Sequence, residues 1–121
     1  MEFEMRLNKK FFKEVFDGTK KYEIRLNDKK RKEISVGDTI IFSNRDNMNE
    51  KVKVEVTSLE FFSNFNGLLN KIDVSLIASN ITKEELINKL NDIYTAEEIS
   101  EYGVVAIGIS RIWEILWNNC I

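Results

Sequence analysis

Apolar and polar residues alternate over Glu2–Leu7, placing Phe3, Met5 and Leu7 on one face in the two-residue period of a half-buried strand. The period then becomes helical. Behind an N-cap at Asn8, the residues Phe11, Phe12, Val15 and Phe16 recur at helical spacing, with Lys9, Lys10, Lys13 and Glu14 on the outer side and Gly18 as the stop. Alternation returns over residues 20–26, where Tyr22, Ile24 and Leu26 share one face and Lys21, Glu23 and Arg25 the other. A basic connection over 27–33 and a Val36-Gly37-Asp38 turn lead into a strand over Thr39–Ser43, then a polar loop over Asn44–Glu50. A further strand over 51–59 turns Val52, Val54, Val56 and Leu59 inward. Residues 61–78 read as a short helix around Phe62, Phe65, Leu68 and Leu69 with a connecting piece. Thr82 and Glu85 form a capping box for a helix bearing Leu86, Ile87, Leu90 and Ile93. A shorter helix at about 95–101 precedes a strongly apolar strand over Gly103–Ser110. Trp113 and Trp117, four apart, belong to a final short helix or strand extension. Five strands interleaved with three or four helices make an α+β domain. A small curved sheet or barrel with helices on one side closes its edges most simply.

Composition narrows the classes of function. The 121 residues suit a single domain, 1–121, and neither a proline nor an internal repeat marks a boundary. The apolar runs are too short to span a membrane, and the charged N-terminus is not a signal peptide, so a cytoplasmic location is expected. One cysteine, Cys120, excludes an intrachain disulfide and a thiol metal cluster. With no histidine, chemistry is left to Lys, Glu, Asp, Tyr and Ser, and no cofactor or metal is called for. The abundance of Ile, Lys and Asn suggests an AT-rich bacterial genome.

Charge changes the picture through its distribution. Residues 1–32 carry eleven Lys or Arg against six acids, a net of +5, whereas 33–121 carry seven against fourteen, a net of −7. One positive face on an acidic body suits an anionic ligand. The octet Gly18-Thr-Lys-Lys-Tyr-Glu-Ile-Arg25 lies in that basic segment, with Lys20, Glu23 and Arg25 close together in strand-like sequence. Two readings fit: the floor of a polar cleft, or an ion pair closing a barrel seam. Lys20 and Arg25 would supply donors to a phosphate or base edge, Arg25 bidentately, and Glu23 would accept from an exocyclic amine. Tyr94 and Tyr102 are candidate stacking partners, whereas Tyr22 shares the core face with Ile24. Asp28, Lys30 and Arg31 form either the rim of such a cleft or a solvated loop.

The order of these features resembles the ASCH domain, a branch of the PUA-like β-barrels. The resemblance rests on the G-x-K-x-x-E-x-R octet, Val36-Gly37-Asp38, Asp92-Ile93-Tyr94 and the Tyr102-Gly103-Val104 opening of the last strand, and it runs from Met5 to about Ile109. It implies a mixed barrel of five to six strands with flanking helices, and beside it a cleft lined by Lys20, Glu23 and Arg25. It also implies RNA or a nucleotide-like molecule as the partner. One branch of the family is an amidohydrolase that deacetylates acetylated cytidine nucleosides through a lysine, a threonine and a glutamate, and some other members are reported to cleave RNA. The lysine matches Lys20, Glu23 stands in the threonine position, and an ungapped count back from Asp92 puts Ser79 in the glutamate position.

Three functions follow as expectations. The first is binding of RNA or a nucleotide-like ligand by Lys20, Glu23, Arg25, Tyr94 and Tyr102. The second is hydrolysis of an acylated nucleoside, with Glu23 as general base for a water and Lys20 holding the oxyanion. The third is a protein–protein module using Trp113 and Trp117, with the oligomeric state left open.

Overall fold

A computed structural model describes residues 1–113 of the chain, so Trp117 and Cys120 lie outside the described residues. The strands are β1 (Glu2–Leu7), β2 (Tyr22–Leu26), β3 (Thr39–Asn44), β4 (Asn47–Phe62) and β5 (Val104–Arg111). The helices are α1 (Lys9–Phe16), α2 (Phe65–Lys71), α3 (Lys83–Ile93) and α4 (Ala96–Tyr102). Local chemistry accounts for the helix starts. The Asn8 side chain accepts from Phe11 N, and Thr82 and Thr95 each form a reciprocal capping box, with Glu85 and Glu98. Gly18 sits at a φ of 78°, where a side chain would be strained, and ends the α1 turn.

One correction concerns residues 44–50, read from sequence as a polar loop. The chain instead turns tightly at Arg45-Asp46, with Asn44 opposite Asn47, and β4 begins at once. The Asn44 side chain shapes this turn, accepting from Asp46 N at 3.0 Å and donating to Glu50 at 2.8 Å.

The strands form one curled sheet in the order β1-β3-β4-β5-β2, parallel between β1 and β3 and antiparallel elsewhere. Strand β5 is central and covered on both faces. Val105, Ile107 and Ile109 join the inner core with Phe42, Ile40 and Val54, whereas Val104 and Ala106 face Leu68, Ile77 and Leu86 under the helices. This is why its sequence is apolar without alternation. Between β4 and β5 the register slips by one residue at Thr57, a bulge that bends the sheet.

Strands β1 and β2 are the two edges of this half-barrel. Side chains bridge the seam between them. Arg25 donates from Nη2 to the Arg6 carbonyl at 2.9 Å, and Lys30 donates to the Glu4 carbonyl at 3.2 Å. Cations thus occupy edge acceptors that would otherwise invite another strand.

Candidate functional site: a cleft at the barrel seam

The octet places its charges through strand register. Glu23 pairs with Ile107 and Arg25 with Val105, so both carboxylate and guanidinium point to the inner face of the half-barrel beside the β1 edge. Ile24 and Leu26 anchor the other face under the helices. Lys20 precedes the strand, and its backbone N–H donates to the Glu14 carbonyl. From there its ammonium reaches Glu23 Oε1 at 3.3 Å and the Ile77 carbonyl at 2.7 Å, with the Phe11 ring centroid 5.0 Å away. Arg25 Nε lies 2.7 Å from Glu23 Oε2. Side-chain exposure falls from 16% at Arg25 to 6% at Glu23 and 1% at Lys20.

Burial and pairing compete over ionisation here. Burial alone would raise the Glu23 pKa, but Arg25 and then Lys20 outweigh it and hold the carboxyl below its usual range. Burial lowers the pKa of Lys20, which Glu23 and, more weakly, Glu14 oppose. Arg25 is pushed up: burial works against its charge, but Glu23 wins. Burial raises the Tyr94 phenol as well, with Arg25, Glu23, Arg31 and Asp28 all close enough to act on it.

Above this triad opens a cleft of about 210 Å³. Glu23 and Arg25 line its floor, Phe11, Leu90, Ile93 and Tyr94 its walls, and Arg6, Asn8 and Arg45 its rim. Tyr94 stacks on Phe65 with centroids 5.8 Å apart. Among the described residues Arg25 commits two of its five N–H groups, to Glu23 and Arg6. Among the described residues the one acid in the lining, Glu23, is already doubly paired, so the space they form has a positive character. Among the described residues, Arg6 and Arg45 make no ion pair.

The residues singled out from sequence divide into groups. Glu23, Arg25 and Tyr94 meet in the cleft, whereas Lys20 stands behind Glu23 and does not line it. Asp28 and Arg31 pair at 3.1 Å near Tyr94 and Arg25, while Lys30 is spent on the β1 edge. Tyr102 lies elsewhere, in a shallow groove with Asn27, Phe61 and Phe62. Phe11, Arg6 and Arg45 were not singled out for the site, the first because its spacing marked it as core and the others because isolated arginines carry no motif. Glu14, expected on the outer face of α1, is buried. Its Oε2 accepts from Ser79 N at 3.2 Å and from the Ser79 hydroxyl. The two residues thus fasten the segment before α3 onto α1. Among the described residues no group of three or more acids or thiols is placed to hold a metal.

The curled five-stranded half-barrel with four helices is that of the PUA-like barrels, and the chain belongs to the ASCH domain family, whose model matches residues 5–112. Two solved archaeal structures are similar throughout. The hypothetical protein PH0355 is 34% identical, with a TM-score of 0.82 over 93% of this chain and all of that one. The protein PF0455 from Pyrococcus furiosus is 32% identical, with a TM-score of 0.76 over 94% of this chain and all of that one. Among curated proteins, none matches the chain. No described helix is long and apolar enough to cross a membrane.

Proposed function

We propose that the seam cleft binds RNA or a nucleotide-like ligand. The observation that carries this reading is the convergence of an Arg25 fork, an ionised Glu23, two aromatic walls and the Arg6 and Arg45 side chains on one cavity. A space of that size takes about one base with part of its sugar, and the walls offer Phe11 and Tyr94 for stacking. Arg25 donates to a base or phosphate oxygen, and the free lone pairs of Glu23 accept from an exocyclic amine or ring N–H. Membership of a family thought to bind RNA supports the same conclusion. Lys20 acts through Glu23, holding the carboxylate ionised and in place.

Hydrolysis of an acylated nucleoside is the weaker reading. Glu23 would have to take a proton from water, yet its pairing with Arg25 and Lys20 makes it a poor base. The Ser79 hydroxyl, at the position counted from the amidohydrolase pattern, already donates to Glu14.

The test is an NMR titration with cytidine, acetylated cytidine, the nucleoside monophosphates and short single-stranded RNA. Saturable shifts at Glu23, Arg25 and Tyr94, weakened in Arg6→Ala and Arg45→Ala without loss of Tm, are expected. Ligand-independent spectra, or shifts confined to another surface, would refute the reading. Turnover of acetylated cytidine that disappears in Lys20→Ala would replace it with the hydrolase.

A further inference from the structure

We propose that Lys10 and Lys89 form a phosphate subsite at the Phe11 end of the cleft; this rests on the cleft being a nucleotide site. Three ammonium groups surround the Phe11 ring. The Nζ atoms of Lys10, Lys20 and Lys89 lie 5.2, 5.0 and 5.4 Å from its centroid. They come from α1, from the turn before β2 and from α3, so the fold itself gathers them. Two carboxylates answer them: Glu23 lies 3.3 Å from Lys20, and Glu14 lies 3.6 Å from Lys10. Lys89 makes no close ion pair among the described residues, and Glu85, one turn earlier on α3, is the carboxylate near enough to act on it.

A cation over an aromatic face gains roughly 0.5–1 kcal/mol at an exposed site, too little to favour crowding three of them around one ring. Lys89 is exposed on α3 and free to extend into solvent, yet it folds toward the other two. An anion that bridges Lys10 and Lys89 gives the two ammonium groups a shared partner. Lys10 donates to the Ser79 carbonyl at 2.6 Å and leans toward Glu14, and an ammonium has three donors, so one remains for the anion. Glu14 is the opposing charge, and its Oε2 is engaged by Ser79. A phosphate suits two compact ammonium charges, and Phe11 makes the position continuous with the cleft, because its ring is also a cleft wall. A base between the aromatic walls would therefore carry its phosphate past Phe11 to these lysines. The same chemistry fits a terminal phosphomonoester or a backbone phosphodiester.

The experiment compares a nucleoside, its 5′-monophosphate and a short single-stranded RNA on the wild type, Lys10→Ala and Lys89→Ala. Lys83→Ala, elsewhere on α3, is the control. A phosphorylated ligand is expected to bind at least about tenfold tighter than the nucleoside. Both test variants should erase most of that ratio and leave nucleoside affinity unchanged; Tm should hold in Lys89→Ala and fall in Lys10→Ala, which strips the buried Glu14 of its counter-charge. An advantage shown by the monophosphate assigns the subsite to a free nucleotide, and one confined to the RNA assigns it to the backbone. Equal binding of nucleoside and phosphorylated forms overturns the subsite while preserving the cleft. An advantage that survives both substitutions does the same. No binding of any ligand overturns subsite and cleft together.

Discussion

Taking the Lys20 ammonium and the Glu23 carboxylate out of water costs several kcal/mol per ion, and their attraction offsets that only because each has further partners. Lys20 has the Ile77 carbonyl and Glu23 has Arg25. Removing one partner leaves an uncompensated buried charge. Lys20→Ala is expected to lower unfolding free energy by about 3–5 kcal/mol in a urea titration, whereas Lys20→Met, which refills the space, should cost less. A loss within about 0.5 kcal/mol for Lys20→Ala would show that the pair contributes nothing. The sign of the pH dependence follows from Glu23, whose folded pKa is depressed below the usual 4.5. Its contribution is fully present above that value and is lost as pH falls through the folded pKa. In Glu23→Gln, stability should therefore fall less steeply with acidification than in the wild type, and equal slopes would refute the assignment. At this scale the sequence was partly legible. The spacing of Glu23 and Arg25 placed both on one strand face, and Arg25 both lines the cleft and reaches across the seam to the Arg6 carbonyl. The inward turn of Glu14 was not legible. A helical wheel ranks a carboxylate as solvent-facing, and only the return of Ser79 from 65 residues away gives it a buried partner.

Periodicity identified elements where one face is buried and failed where neither is. Strands β1, β2 and β5 and the Thr82 capping box lie close to where the pattern put them. The start of β4 was missed because Asn47–Glu50 are all exposed, so no alternation exists to read. Its continuation through Phe62 was hidden by the bulge at Thr57, which shifts the alternation by one residue. That bulge depends on Gly108, because a Cβ there would fall on the Ser58 Oγ, with Thr57 Oγ1 at 3.0 Å. Gly108→Ala should destabilise the domain by about 1–3 kcal/mol, read from the urea midpoint, and open the β4–β5 pairing in hydrogen exchange. A neutral effect would mean that the bulge yields freely. The α3 cap makes a milder case. Thr82→Ala removes the acceptor for Glu85 N and should cost about 1 kcal/mol, with faster exchange confined to the first turn of α3.

Across the whole molecule the positive potential is local. Arg6, Arg25 and Arg45 line the cleft and Lys10 and Lys89 lie by its Phe11 wall, while α3 and α4 carry Glu84, Glu85, Asp92, Glu97, Glu98 and Glu101. On the α3–α4 side a polyanion would meet these carboxylates, so a contact centred on the cleft should be short. For single-stranded RNA the logarithm of affinity falls with the logarithm of salt by about 0.7 per phosphate engaged. The expected slope therefore corresponds to a few phosphates and reaches its limit at a few nucleotides, longer strands gaining only statistical copies of the same site. Each of Arg6→Ala, Arg45→Ala and Lys89→Ala that deletes a phosphate contact should reduce the slope by about 0.7. Fluorescence anisotropy on strands of increasing length over a salt series measures both quantities. A slope that keeps growing with strand length would move the interface off the cleft onto a longer track. A slope of zero would leave a ligand recognised by stacking and hydrogen bonds alone, with the cations serving only the fold.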